Sequence, residues 1–267
     1  MPRAKQTLKE YQAKRNFQKS PEPSGKGKPK KVSAKPGHHF FCVQKHLASH
    51  LHYDFRLEHN GVLLSWAVPK GPSLNPADKR LAMRVEDHPL DYGDFEGVIP
   101  EGYGAGIVML WDRGSWEPEV DDIDAALAKG DLKFKLEGVK LKGSWVLVRT
   151  RGGYGGRSRP GADGESRTWL LIKHRDTWAG NVDVLTLDKS VKSFGDFPDI
   201  LAAKDPDVWQ SHRPAEGGEA GAMLKSIIAQ AAKLKAKRQA KKKSSTKPTK
   251  AAPKRSKKKV LAARFGR

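Results

Sequence analysis

From about His38 onward, apolar and polar positions alternate in short runs separated by turn residues, a pattern that predicts strands of an antiparallel sheet or barrel. The clearest run is LHYDFRLEHNGVLLSWAV, beginning at Leu51. In an extended chain, Leu51, Tyr53, Phe55 and Leu57 fall on one face, and His52, Asp54, Arg56 and Glu58 on the other. Asn60-Gly61 then predicts a two-residue type I' turn into a strand over Val62 to Val68. Further strands are expected at Leu81 to Glu86, Ile107 to Trp111, Leu132 to Glu137, Lys142 to Arg149 and Trp169 to His174. One short helix is expected inside this region, Asp121 to Lys129, with acids in its first turn and Gly130 as its stop. After about residue 210 the pattern turns helical, because Met223, Leu224, Ile227, Ile228 and Ala231 share one face at helical spacing. Beyond Lys235 the Lys/Ala/Ser/Pro mixture predicts disorder.

Before His38, LKEYQAKRNF predicts a short helical piece, and SPEPSGKGKPKK offers nothing to pack, so order is expected to begin near His38. RGGYGGRSRPGADGES is a Gly-, Ser- and Arg-rich loop, suited equally to mobility near a ligand and to a plain connector. The expected division is therefore a flexible basic arm over 1–37, a mainly β core over 38–210, and an amphipathic helix with a Lys-rich tail over 211–267.

Charge follows this division. The chain carries a formal +21. Residues 1–37 hold 11 Lys and Arg against 2 acids, residues 220–267 hold 17 against none, and the stretch between them is net acidic. Basic arms bind polyanions by releasing counterions, which points to nucleic acid; a merely solubilising tail has the same composition. With a single Cys, Cys42, no internal disulfide can form, and Cys42 beside Phe40, Phe41 and Val43 is expected to be a small buried residue. No charged-then-apolar leader and no run near the roughly 18 apolar residues of a membrane span is present, so a soluble, cytoplasmic and nucleoid-associated monomer is expected.

The candidate chemistry lies on the polar face of the 51–59 strand. Six of the nine His lie within residues 38–59. His52, Asp54 and Arg56, two residues apart, can bind a metal with the first two and the anion it activates with the third, and His46 is a candidate third ligand. Two imidazoles and a carboxylate without thiolate suit a first-row divalent ion, manganese or iron at least as well as zinc. A solvated strand face with salt bridges fits the same residues. Downstream, RLAMRVEDHPLDY places Arg80, Arg84, Glu86 and His88 at even spacing, which suits one face of a second strand with His88 at its end, or a salt-bridged edge strand. A P-loop, HExxH, paired CxxC and a Lys-x-Asp-Gly adenylation motif are all missing, which argues against a nucleotidyl-transferring ligase on this chain.

These residues resemble the 3'-phosphoesterase module of bacterial DNA ligase D. The similarity runs through FCVQKHLASHLHYDFRLEHNGVLLSWAVPKGPSLNPADKRLAMRVEDHPLDYGDFEGVIPEGYGAG, KLKGSWVLVRT and WLLIKHRDTWA, with YQAKRNFQKSPEPSG near the start, over roughly residues 8–180. The resemblance implies a compact, largely β barrel whose cavity holds one manganese ion. It implies His46, His52 and Asp54 as metal ligands, and Arg56 and His88 as the groups that grip the phosphate. Gln44, Glu86 and Tyr92 match positions that line or support the site. Lys70 and Arg80 match basic residues that favour a terminal phosphate, and Arg15 with Glu22 match a segment that folds over the substrate's end. The implied activity removes a 3'-terminal ribonucleotide and then the 3'-phosphate left behind, at broken DNA ends joined by Ku and a ligase. Two departures stand out: Asn16 replaces the usual Asp after Arg, and Gly102 runs straight into Tyr103 where many members have one more residue. The first implies a weakened ribonuclease step; the second implies a shorter loop without effect on the metal.

Overall fold

The structure, a computed structural model, describes residues 8–26, 38–100, 103–150, 166–203 and 218–245. Strands β1 (His39–Leu47), β2 (Leu51–His59), β3 (Val62–Val68) and β4 (Arg80–Arg84) follow one another in the chain. After them come β5 (His88–Pro89), β6 (Gly97–Ile99), β7 (Gly106–Pro118), β8 (Asp131–Gly138), β9 (Lys142–Arg149) and β10 (Thr168–Lys173). Hydrogen bonding runs β1-β2-β3-β4-β10-β9-β8-β7, all antiparallel, and β7 pairs back onto β1. The result is a closed eight-stranded barrel in a mainly β chain, as the alternation predicts.

Closure is possible because β7, at 13 residues, is long enough to serve several neighbours. It pairs with β1 along its length, with β6 at its start and with β8 at its end, and it shifts register between Val43 and Gln44 of β1. The predicted Ile107 to Trp111 strand is only the start of it. The β2–β3 hairpin turns where expected, with Asn60 and Gly61 both at positive φ, 49° and 81°. That register sets Arg56 opposite Ser65 and Asp54 opposite Ala67.

The barrel interior is apolar. Phe55 of β2 meets Phe134 of β8 with ring centroids 5.8 Å apart, although the two strands are not neighbours, so the rings touch across the lumen. Phe41, Phe55, Leu57 and Phe134 are all closed to solvent. Strand alternation then sends Gln44, His46, His52, Asp54 and Arg56 to the outer surface of the barrel. The expectation of an ion inside the barrel cavity is therefore corrected, since the lumen is filled by aromatic rings.

Four α-helices decorate the barrel among the described residues. They are α1 (Lys9–Ala13), α2 (Ile123–Lys129), α3 (Phe197–Ala203) and α4 (Gly218–Ser245). For α2 the predicted stop holds, Gly130 closing the helix at φ 80°, while the start falls at Ile123 and not Asp121, because the Asp122 carboxylate caps the helix by accepting from the Ala125 amide. On α4, Ile227 and Ala231 are buried and Met223 and Leu224 pack against the core, but Ile228 is half exposed and not part of that face. The helix also runs to Ser245 and does not stop at Lys235. No helix among the described residues is long and apolar enough to cross a membrane. The Gly-rich loop over 151–165, Gly102, and the tail over 246–267 lie outside the described residues.

Order does not begin at His38. Residues 8–26 pack against the outer face of the barrel, with Tyr11 fully buried and its hydroxyl donating to the Pro23 carbonyl at 2.6 Å. One aromatic side chain and one buried carboxylate, Glu22, anchor a segment whose composition is otherwise that of a loose arm.

Candidate metal centre

His46 comes from the end of β1, and His52 and Asp54 from the start of β2, where His46 faces His52 across the ladder. One ligand atom from each lies within 4.8 Å of the other two. His46 Nε2 is 2.9 Å from the Gly104 carbonyl and His52 Nδ1 is 3.0 Å from the His50 carbonyl. A carbonyl can only accept, so both of these nitrogens carry the proton. The bare nitrogens, His46 Nδ1 and His52 Nε2, then face Asp54 Oδ2 at 3.5 and 3.8 Å. Two lone pairs aimed at a carboxylate oxygen repel one another unless a cation lies among them, and backbone carbonyls that fix the tautomer are the usual support of metal-bound imidazoles. The residues present thus fit a divalent ion with N and O ligands.

Burial pushes the Asp54 carboxyl up, but the Arg56 guanidinium, with His52 and His46, more than reverses this and holds it well below the usual carboxylate range. Burial likewise drives the His52 imidazole down. Both keep the cluster ready to bind a cation.

Arg56, 2% exposed, is gripped on every side. Its Nε donates to Gln44 Oε1 at 2.8 Å, one terminal nitrogen donates to Ser65 Oγ at 2.7 Å, and the other lies 3.2 Å from Asp54 Oδ2. Gln44 is oriented in turn by donating to the Tyr92 and Phe95 carbonyls at 2.9 and 2.8 Å. His88 Nδ1 lies 2.9 Å from the Glu86 carbonyl and 3.0 Å from a terminal nitrogen of Arg56, and its Nε2 lies 3.2 Å from Arg15 Nη2. Burial first, then the charges of Arg56 and Arg15, push the His88 imidazole well below its ordinary value.

The N-terminal segment completes the network. Arg15 lies over the Tyr11 ring at 3.9 Å and pairs with Glu22 at 2.8 Å and Glu86 at 3.0 Å. Glu22 also accepts from the Tyr92 hydroxyl at 3.1 Å. Burial, then the charge of Glu22, raise Tyr92 well above the usual phenol range.

Of the residues singled out in the sequence, His46, His52, Asp54, Arg56, Gln44, Glu86, His88, Tyr92, Arg15 and Glu22 share this one network. Lys70 and Arg80 do not join it. They line a separate pocket with Pro69, Asp78, Lys79 and Leu81, and Arg80 pairs with Asp78 at 2.9 Å. The second strand ends at Arg84, so Glu86 and His88 do not share its face; β5 instead pairs His88 with Leu63 of β3. Three contributors went unread. Ser65 follows from the hairpin register, and Tyr11 is an aromatic ring in an otherwise polar arm. Gly104 acts through its backbone, and it lies in the very loop expected to leave the metal undisturbed.

The family model described as the DNA Ligase D 3'-phosphoesterase domain matches residues 44–149. The multifunctional non-homologous end joining protein LigD of Pseudomonas aeruginosa is 54% identical over 184 residues, 68% of this chain and 20% of that protein. Its namesakes from Mycobacterium bovis and Mycolicibacterium smegmatis are 42% and 40% identical over 146 and 151 residues, each 54% of this chain and 18% and 19% of theirs. The chain thus spans about a fifth of the length of these curated relatives. The span of the family model takes in His46, His52 and Asp54, and the barrel of this chain belongs to the DNA ligase D 3'-phosphoesterase domain family.

Proposed function

We propose that this chain is a manganese-dependent phosphoesterase that heals DNA 3' ends for end joining, with His46, His52 and Asp54 as ligands of one ion. What supports this most is the pair of tautomer-locked imidazoles converging on Asp54 beside a buried guanidinium. The ion, manganese or another first-row divalent metal, supplies a Lewis acid and a bound water of lowered pKa. Arg56, immobilised by Gln44 and Ser65, binds the phosphate and needs no reorganisation as charge builds on it. His88, in contact with both Arg56 and Arg15, grips the phosphate beside them. Arg15 stays placed by Glu22 and Glu86 to cover the 3' end, while Tyr92 and Gln44 hold the frame. Lys70 and Arg80, in their separate pocket, bind a more distant part of the DNA end. The 38–210 core carries this chemistry; the basic arms bind DNA, and Ku and a ligase are the partners in end joining.

The reaction on a 3'-phosphate consumes water and yields a 3'-hydroxyl and inorganic phosphate. Removal of a terminal ribonucleotide precedes it and leaves that 3'-phosphate. Asn16 uses its Oδ1 to accept from the Gln18 amide at 3.1 Å, and it offers no negative charge near Arg15. Duplexes ending in a 3'-phosphate or in a single 3'-ribonucleotide, assayed side by side, should show the phosphatase as the faster step, with Asn16→Asp selectively raising the ribonuclease. Equal or better activity of the natural chain on the ribonucleotide end contradicts this reading. A catalytically silent DNA-binding scaffold is the alternative; it has no use for locked tautomers beside a buried Arg.

A further inference from the structure

We propose that Tyr103 is the platform on which the terminal base of the 3' end stacks, which makes it the residue that positions the end over the metal cluster. The inference deepens the reading above and rests on it for the identity of the ligand.

The other two tyrosines near the site are buried: Tyr11 is fully covered and Tyr92 is 3% exposed. Tyr103 is 52% exposed. A large ring left open to water at the mouth of a site is an invitation to a ligand with its own flat face. The ring is also tied to the cluster. The next residue, Gly104, has φ 79°, and its carbonyl is the group that holds His46 Nε2 at 2.9 Å. Tyr103 therefore follows the loop that fixes a metal-ligand tautomer.

Two cations frame it. Lys14 Nζ lies 5.0 Å and the Arg15 guanidinium 5.6 Å from the ring centroid. An exposed ring flanked by Lys and Arg is the composition of a single-strand nucleic-acid contact, where the ring takes a base and the cations take neighbouring phosphates. Both cations come from the N-terminal segment and the ring comes from the barrel, so a stacked base would bridge the two. Every base has a π-face, so such a platform accepts any terminal base and selects for an end whose last base is free to lie on the ring.

The test reads binding without turnover. A duplex carrying a 3'-terminal 2-aminopurine and a 3'-phosphate is titrated with the full chain in a metal chelator. Fluorescence quenching is expected with the natural chain and with Tyr103→Phe, and is lost in Tyr103→Ala. In parallel, replacing the terminal nucleotide by an abasic one should weaken binding to the natural chain by about tenfold, and should leave binding to Tyr103→Ala unchanged. If Tyr103→Ala keeps the quenching or keeps the preference for a terminal base, the platform is elsewhere and the proposal falls. A natural chain that shows this base dependence yet never releases phosphate with manganese leaves the platform standing and overturns the enzymatic reading instead.

Discussion

Asp54 and Arg56 are both nearly closed to solvent, and removing either leaves the other as a buried, uncompensated charge. Arg56→Ala should therefore lower stability by about 3 kcal/mol as well as abolish phosphate release, read by denaturant unfolding and by the 3'-phosphate assay. Arg56→Lys separates the two effects. It keeps a charge beside Asp54 but cannot reach Gln44, Ser65 and Asp54 at once, because an ammonium lacks the planar fork. The expected outcome is a folded protein whose phosphate release falls at least about tenfold. His88 has a pH signature of its own. Its folded-state pKa lies below the ordinary 6.5, so the unfolded chain takes up the proton first as pH falls. The stability it contributes is present above about pH 6.5 and is lost below it. In chelator, His88→Gln should flatten the decline in unfolding free energy between pH 7 and pH 5; an unchanged slope removes His88 from the account.

At the scale of elements, the strap over residues 8–26 is held by Tyr11, whose ring meets those of His88 and Tyr92 at 4.9 and 6.1 Å. Tyr11→Ala should release the strap while β1 and β2 keep their ligands. Hydrogen exchange should rise over 8–26 and manganese affinity should hold, while phosphate release drops as Arg15 leaves His88. The hairpin at Asn60-Gly61 was readable because its turn chemistry is local, and its register alone sets Arg56 against Ser65. The strap was not readable in the same way. A run rich in Lys, Pro and Gly carries no periodicity, and its packing depends on Tyr11 and Glu22 meeting groups more than 60 residues away. The barrel itself was legible, but the strand that closes it was not, for a related reason: only the start of β7 was expected, and β7 had to be long enough to serve β1, β6 and β8 together. The candidate ligand set, by contrast, lay in one short stretch of the chain. Lys70 and Arg80 were named from the resemblance alone, and they line a pocket apart from this network.

Across the whole molecule, the barrel carries the candidate metal cluster and the flanks carry most of the positive charge. Residues 246–267 hold 9 Lys and Arg and no acid. Each that meets a DNA phosphate should steepen the salt dependence of binding by about 0.9 in log slope. Deleting 246–267 should therefore weaken DNA affinity and flatten that slope while turnover at saturating DNA stays level; a collapse of turnover with affinity intact would make the tail part of the site. The central claim is that one divalent ion on His46, His52 and Asp54 drives hydrolysis at the 3' end. Phosphate release from a duplex 3'-phosphate, followed after chelation and on adding back manganese, tests it most directly. The account predicts no release in chelator, recovery with manganese in the natural chain and none in Asp54→Ala. Release that continues in chelator, or that manganese restores equally to Asp54→Ala, contradicts it.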